Sequence, residues 1–229
     1  MQKSAKIALI AVFVVVIGGG GAFYALVLRD TAPPKATDTF TLGPTGSVVA
    51  GATADGTWKV KADDTENFAG YRIQEVFVGD TIKKTASGRT QNATGTFVVK
   101  GTSVESAEFT VDMTTIASDR APRDNLMKTS GLETEKFTTS TFKLSAPLAL
   151  GTAPELGKQL DLKAKGDLTI HGVTKPVEFT LKAGWTGDVV KVSGSGTVTL
   201  ADFGITQLQL GPATIEPTGE IEFQLSLGK

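Results

Sequence analysis

Apolar and polar residues alternate through most of the chain beyond residue 57. In residues 105–115, Ala107, Phe109, Val111 and Met113 share one face, and Glu108, Thr110 and Asp112 take the other. Gln159–Ile170 sets Leu160, Leu162, Ala164, Leu168 and Ile170 against Asp161, Lys163, Lys165, Asp167 and Thr169. The same period organises residues 177–185 (Phe179, Leu181, Ala183), 190–200 (Val192, Val198, Leu200) and 221–227 (Ile221, Phe223, Leu225, Leu227). A period of two is the mark of a strand with one buried face. Further strands are predicted at 57–62, 70–78, 93–101 and 140–150, with a weaker one at 82–88, giving eight to ten. Gly194 and Gly196 fall on an inward face and predict a bend or bulge. Pro122, followed by residues 123–130 and then Gly131 as a C-terminal cap, predicts one short helix with Leu126 toward the core. Regular strands joined by short glycine-containing turns indicate an antiparallel sandwich or barrel. The two differ in consequence: a sandwich packs its inner faces together, whereas a barrel of about eight strands can enclose a small ligand.

The chain begins differently. Residues 7–28 form a run of 22 without a charge, behind Lys3 and Lys6. As a helix this run spans roughly 33 Å, enough to cross a bilayer, and the flanking lysines favour a cytoplasmic N-terminus. A cleavable signal peptide ending near Gly20-Gly21-Ala22 is the rival reading. The run continues through Phe23 to Leu28, beyond what a signal peptide needs, so a single-pass anchor with the rest outside the cytoplasm is the expectation. Residues 29–56, with Pro33, Pro34 and Pro44 and little alternation, read as a flexible linker. The domains expected are therefore 1–28, 29–56 and 57–229.

Composition narrows the chemistry. A formal net charge of -1 without a basic stripe argues against a nucleic-acid partner. The absence of cysteine removes thiolate chemistry, and a single histidine leaves little for a metal site. No nucleophile elbow is evident, because Gly194-Ser195-Gly196 lies inside an alternating strand. The chain reads as a binding module, not an enzyme.

Two stretches carry a family resemblance: MTTIASDRAPRDNLMKTSGLETEKFTTSTF at 113–142 and GDLTIHGVTKPVEF at 166–179. Together they resemble the YceI-like family of exported lipid-binding proteins, and YRIQE at 71–75 with GRT at 88–90 resembles its membrane-anchored branch. The resemblance covers about 57–229, and departs from the family's pattern at 202–215. It implies a lipocalin-like antiparallel barrel, closed at one end, whose apolar tunnel holds a polyisoprenoid or a quinone tail; it implies no other cofactor.

On that reading Phe97, Phe109, Met113, Leu126, Phe142, Ile170 and Phe179 are the pocket candidates. Arg123 and Asp124 at the helix start could meet a polar head group or fix the helix across the barrel end through ion pairs. His171 lies by parity with Asp167 and Thr169, opposite the apolar face. It closes the turn before Thr174, meets a head group at the rim or, as the one group suited to general acid-base work at neutral pH, serves a hydrolase.

Overall fold

The computed structural model describes residues 32–229, apart from Val49 and Asp80. The predicted span 7–28 lies outside the described residues. Among the described residues no helix is long and apolar enough to cross a membrane.

Among the described residues thirteen strands form one antiparallel sheet. β1 (Gly56–Val60) and β2 (Phe68–Phe77) are two halves of one kinked strand, and β3 (Lys84–Thr90) with β4 (Ala93–Lys100) make the next: β2 pairs with β3, and β1 with β4. β5 (Ser103–Asp112), β7 (Thr139–Leu144), β9 (Gln159–Ile170), β10 (Val173–Trp185), β11 (Val189–Thr199) and β13 (Ala213–Gly228) follow in order around the wall. β13 returns to both halves of the first strand, pairing Ile221 with Tyr71 in β2 and Leu227 with Val60 in β1. That closes an eight-stranded barrel, the architecture that leaves no free sheet edge. Short β6 (Ala117–Ser118), β8 (Leu148–Ala149) and β12 (Gln209–Leu210) attach to β3, β5 and β13.

Two prolines explain where the strands begin. β13 extends back to Ala213, well before the alternation at Ile221, because a register break between Ile215 and Gly219 accommodates Pro217. β10 starts at Val173, and Pro176 is tolerated because β11 pairs only with Thr180 to Trp185, leaving the earlier half of β10 hydrogen-bonded on one side. Gly194 and Gly196 mark no bulge: β11 stays in continuous register with β13. A Cβ on Gly194 would lie 2.5 Å from both Leu181 Cδ2 and Phe223 Cζ, so this glycine makes room for side chains.

The helix α1 (Ala121–Leu126) runs on into a π-helical turn, Met127–Gly131. Gly131 is not its left-handed cap; the positive φ falls at Glu133 (47°). Gly131 is buried, and a Cβ there would come within 2.8 Å of Met127 Sδ. This insert and residues 200–212 pack together over one barrel end, with Leu126 against Gly211 and Leu210 against Gly131.

Residues 32–56 contain no strand or helix before Gly56, yet they lie along the outer wall and are not the loose tether expected of a flexible linker. Arg72 Nη1 donates to the Pro33 carbonyl, Arg89 Nη2 to Pro34 (2.8 Å), and the Ala36 amide to Glu222 Oε2 (3.1 Å). Further along, Leu42 covers Gly184 and the Gly46 amide donates to Thr186 (2.8 Å). Glu222, on the polar face by parity, is fully buried here and also accepts from Arg89 Nε at 2.9 Å. Among the described residues the strand pairings and two core clusters fall in one compact unit, Ala32–Lys229, with its own hydrophobic core.

Candidate functional site

The inward faces of the eight wall strands do not fill the barrel. Phe109, Phe142, Leu162, Val192 and Phe223 point inward but are only half-buried, and each borders an internal cavity of about 170 Å³. Their residual surface faces that space. The lining is almost wholly aliphatic and aromatic, and includes Phe97, Leu160, Leu181, Trp185 and Leu225. Polar lining residues are few: Ser140, Thr141, Lys158 and Glu222, the last with its carboxylate held by Arg89 and Ala36. Residues 54, 104, 148, 150, 154 and 158 form the rim at one end.

A second chamber, of about 80 Å³, lies toward the capped end, lined by Tyr71, Ile73, Met113, Met127, Ile170, Val198 and Phe203 among others. Both chambers border Ala69, Val111, Ser140 and Ile221. In the lining of the larger one the rings of Phe142, Phe179 and Phe223 pack edge to face, with centroids 5.3 and 5.5 Å apart.

Of the residues singled out from sequence, Phe97, Phe109, Phe142 and Phe179 line the larger chamber, and Met113 and Ile170 the smaller. Leu126 lines neither; the neighbouring Met127 lines the smaller one, because the helix presents residue 127 to the barrel end. Trp185, Phe223, Tyr71 and Leu181 were missed as pocket residues although the period-two pattern places Leu181 and Phe223 on the same inward faces.

The polar candidates lie outside both chambers. Arg123 is bound by Glu75 on both Nε and Nη2, and its Nη1 lies 2.6 Å from Asp119 Oδ1. Burial opposes its charge, but the hydrogen bonds and charge of Glu75, then of Asp119, outweigh this and raise its pKa. Asp124 Oδ1 accepts from the Ser118 amide (2.9 Å) and hydroxyl (2.6 Å). Both groups fix the insert to the wall, and neither reaches into the chambers. Burial likewise pushes the Tyr71 phenol well above its ordinary range, so it faces the smaller chamber as a neutral group.

His171 forms the tight turn joining β9 to β10. Its φ is 53° and that of Gly172 is 72°, the two positive values of a type I′ hairpin. Nδ1 meets the Phe203 carbonyl at 3.1 Å, Nε2 meets Glu133 Oε2 at 2.8 Å, and the ring packs on Phe137 with centroids 4.3 Å apart. It therefore ties three segments together at the capped end, away from the rim.

The YceI-like domain family matches residues 43–227. Protein YceI of Escherichia coli O157:H7 is 28% identical over 177 residues, covering 73% of this chain and 85% of that protein. A UPF0312 protein of Pseudomonas aeruginosa is 31% identical over 139 residues, covering 58% of this chain and 66% of that protein. Among solved structures, a polyisoprenoid-binding domain from Saccharophagus degradans is similar with a TM-score of 0.59 at 16% identity, covering 76% of this chain and 98% of that one. Burkholderia cenocepacia BcnA is similar with a TM-score of 0.50 at 15% identity, covering 68% and 95%.

Proposed function

The chain belongs to the YceI-like family, and from that premise we propose that its barrel binds a polyisoprenoid or a comparably apolar lipid chain, for carriage or storage outside the cytoplasm. One observation carries this reading: inward-facing aromatic and aliphatic side chains remain incompletely covered around an apolar chamber. A flexible hydrocarbon fits such a lining, whereas a polar ligand would leave its hydrogen-bonding groups unmatched at a cost of several kcal/mol. The Saccharophagus degradans domain, described as polyisoprenoid-binding, supports the same ligand class.

Burying a chain contributes up to about 0.8 kcal/mol per CH₂ relative to water, but close to nothing relative to a bilayer. A barrel of this kind exchanges its ligand with membranes and does not extract it irreversibly. Residues 7–28 serve as the membrane anchor in this reading and keep the barrel at its lipid source. Binding without turnover is supported by the position of His171, whose two ring nitrogens are engaged by Phe203 and Glu133 at the capped end.

The test is a titration of residues 32–229 with farnesol, read by the fluorescence of Trp185 in the cavity wall. Saturable binding that competes with longer prenyl alcohols is the expected result; a linear, non-saturating signal argues against the reading.

A further inference from the structure

The smaller chamber, toward the capped end, is not uniformly apolar. Its lining includes four residues with hydrogen-bonding side chains: Tyr71, Arg72, Ser140 and Glu220. Arg72 and Glu220 are register partners whose charged ends are held on the outer wall, Arg72 by the Pro33 carbonyl and Glu220 by Lys35 Nζ at 2.7 Å. Ser140 Oγ donates to the Thr169 carbonyl at 2.7 Å, so its proton is already engaged. That leaves Tyr71.

Tyr71 faces Gly88 as its register partner, and a Cβ on Gly88 would lie 2.8 Å from the Tyr71 hydroxyl oxygen. That Cβ would point the same way as Ala86, two residues earlier in β3 and part of the buried core. The phenol therefore lies across the inner face of the wall, with its hydroxyl inside the barrel. Among the described residues this hydroxyl has no hydrogen-bond partner, and it is not sealed in protein: the sealed hydroxyls without a partner are those of Ser87 and Ser193. Burial keeps the phenol protonated, so it presents a donor. Hydrocarbon packed against such a group would leave it without the partner that water supplied, whereas an oxygen placed there restores the hydrogen bond. The two chambers adjoin, since Ala69, Val111, Ser140 and Ile221 line both.

We propose that the smaller chamber is a head-group site, in which the Tyr71 hydroxyl donates to an uncharged oxygen at the end of a prenyl chain, as in a prenyl alcohol, while the chain itself occupies the larger chamber. This rests on the reading of the barrel as a prenyl-lipid binder and adds to it an orientation: the head enters first and the tail ends toward the rim. A diphosphate head is refused. The arginines nearest this chamber are already paired, Arg72 on the outer wall and Arg123 with Glu75 and Asp119, and an anion buried without a partner is strongly disfavoured.

Three prenyl ligands of equal carbon count test this: farnesol, the hydrocarbon farnesene and farnesyl diphosphate, each titrated into residues 32–229 and read by Trp185 fluorescence. Tyr71→Phe removes the hydroxyl alone, and because the wall offers that hydroxyl no partner the variant should keep its fold, which near-ultraviolet circular dichroism checks. It is expected to bind farnesol about three- to tenfold more weakly, over and above any change for farnesene. The unaltered protein is expected to bind farnesyl diphosphate at least about tenfold more weakly than farnesol; should Tyr71→Phe not fold, this comparison decides. An equal change for farnesol and farnesene, or a diphosphate held as tightly as the alcohol, overturns the inward head and leaves the prenyl reading standing. Failure of all three ligands to bind overturns both.

Discussion

Tyr71 faces Gly88, Phe109 faces Gly95 and Phe223 faces Gly194 as register partners, and Phe179 lies against Gly196. Inward aromatic rings and inward glycines are thus one device: the glycine lets the ring lie against the wall, and the ring covers backbone that the glycine leaves bare. Gly194→Val inserts methyl groups where Leu181 and Phe223 already sit, so it is expected to cost about 1–3 kcal/mol in urea unfolding and to weaken prenyl binding by narrowing the larger chamber. Arg123 offers the converse case. Glu75 and the Arg123 side chain are both largely buried, so Arg123→Met leaves a buried carboxylate without its partner, a loss of about 3–5 kcal/mol. Chain affinity in the remaining folded protein should be unchanged. A variant that keeps its stability but loses affinity would return Arg123 to the role of a head-group ligand.

At the scale of elements, the hairpin between β9 and β10 shows what local chemistry decides. His171 occupies the first positive-φ position of the turn, where asparagine is well suited and a β-branched residue is strained. His171→Asn should retain the hairpin while losing the ties to Phe203 and Glu133. His171→Val loses the same ties and adds strain, so denaturant melts should place it about 1–2 kcal/mol below the asparagine variant; equal stabilities would show that the backbone relaxes out of the turn. The strands themselves were readable because side chains on a half-buried strand alternate, and Gln159–Ile170 is found where its pattern placed it. The path of residues 32–48 was not. It docks through the carbonyls of Pro33 and Pro34, the amide of Ala36 and the single side chain of Leu42, none of which produces a period. Glu222, which the alternation sets opposite Ile221 and Phe223, is nonetheless fully buried, with its carboxylate bonded to the Ala36 amide and Arg89. Leu126 packs against the core as its place in the helix suggested, but it is the next residue, Met127, that lines the smaller chamber, because a six-residue helix flowing into a π turn turns both toward the barrel end.

For the molecule as a whole, the closed barrel accounts for how an apolar interior can stay partly empty. The wall is braced by continuous hydrogen bonding around eight strands, and the insert and residues 200–212 brace one end, so the interior side chains need not collapse onto one another. The proposed membrane anchor belongs to this scale. Fractionation of the full chain after expression in a bacterium should place it with membranes, and a form lacking residues 1–31 but exported by a cleavable leader should be released in soluble form. Recovery of the full chain in the soluble fraction would contradict the anchor and leave the barrel's binding unaffected. Binding itself is tested most directly by native mass spectrometry, with organic extraction, of that exported residues 32–229 form purified without detergent. The account predicts an added mass that extracts as a prenyl lipid; a barrel that is ligand-free and takes up no prenyl lipid when offered one would contradict it.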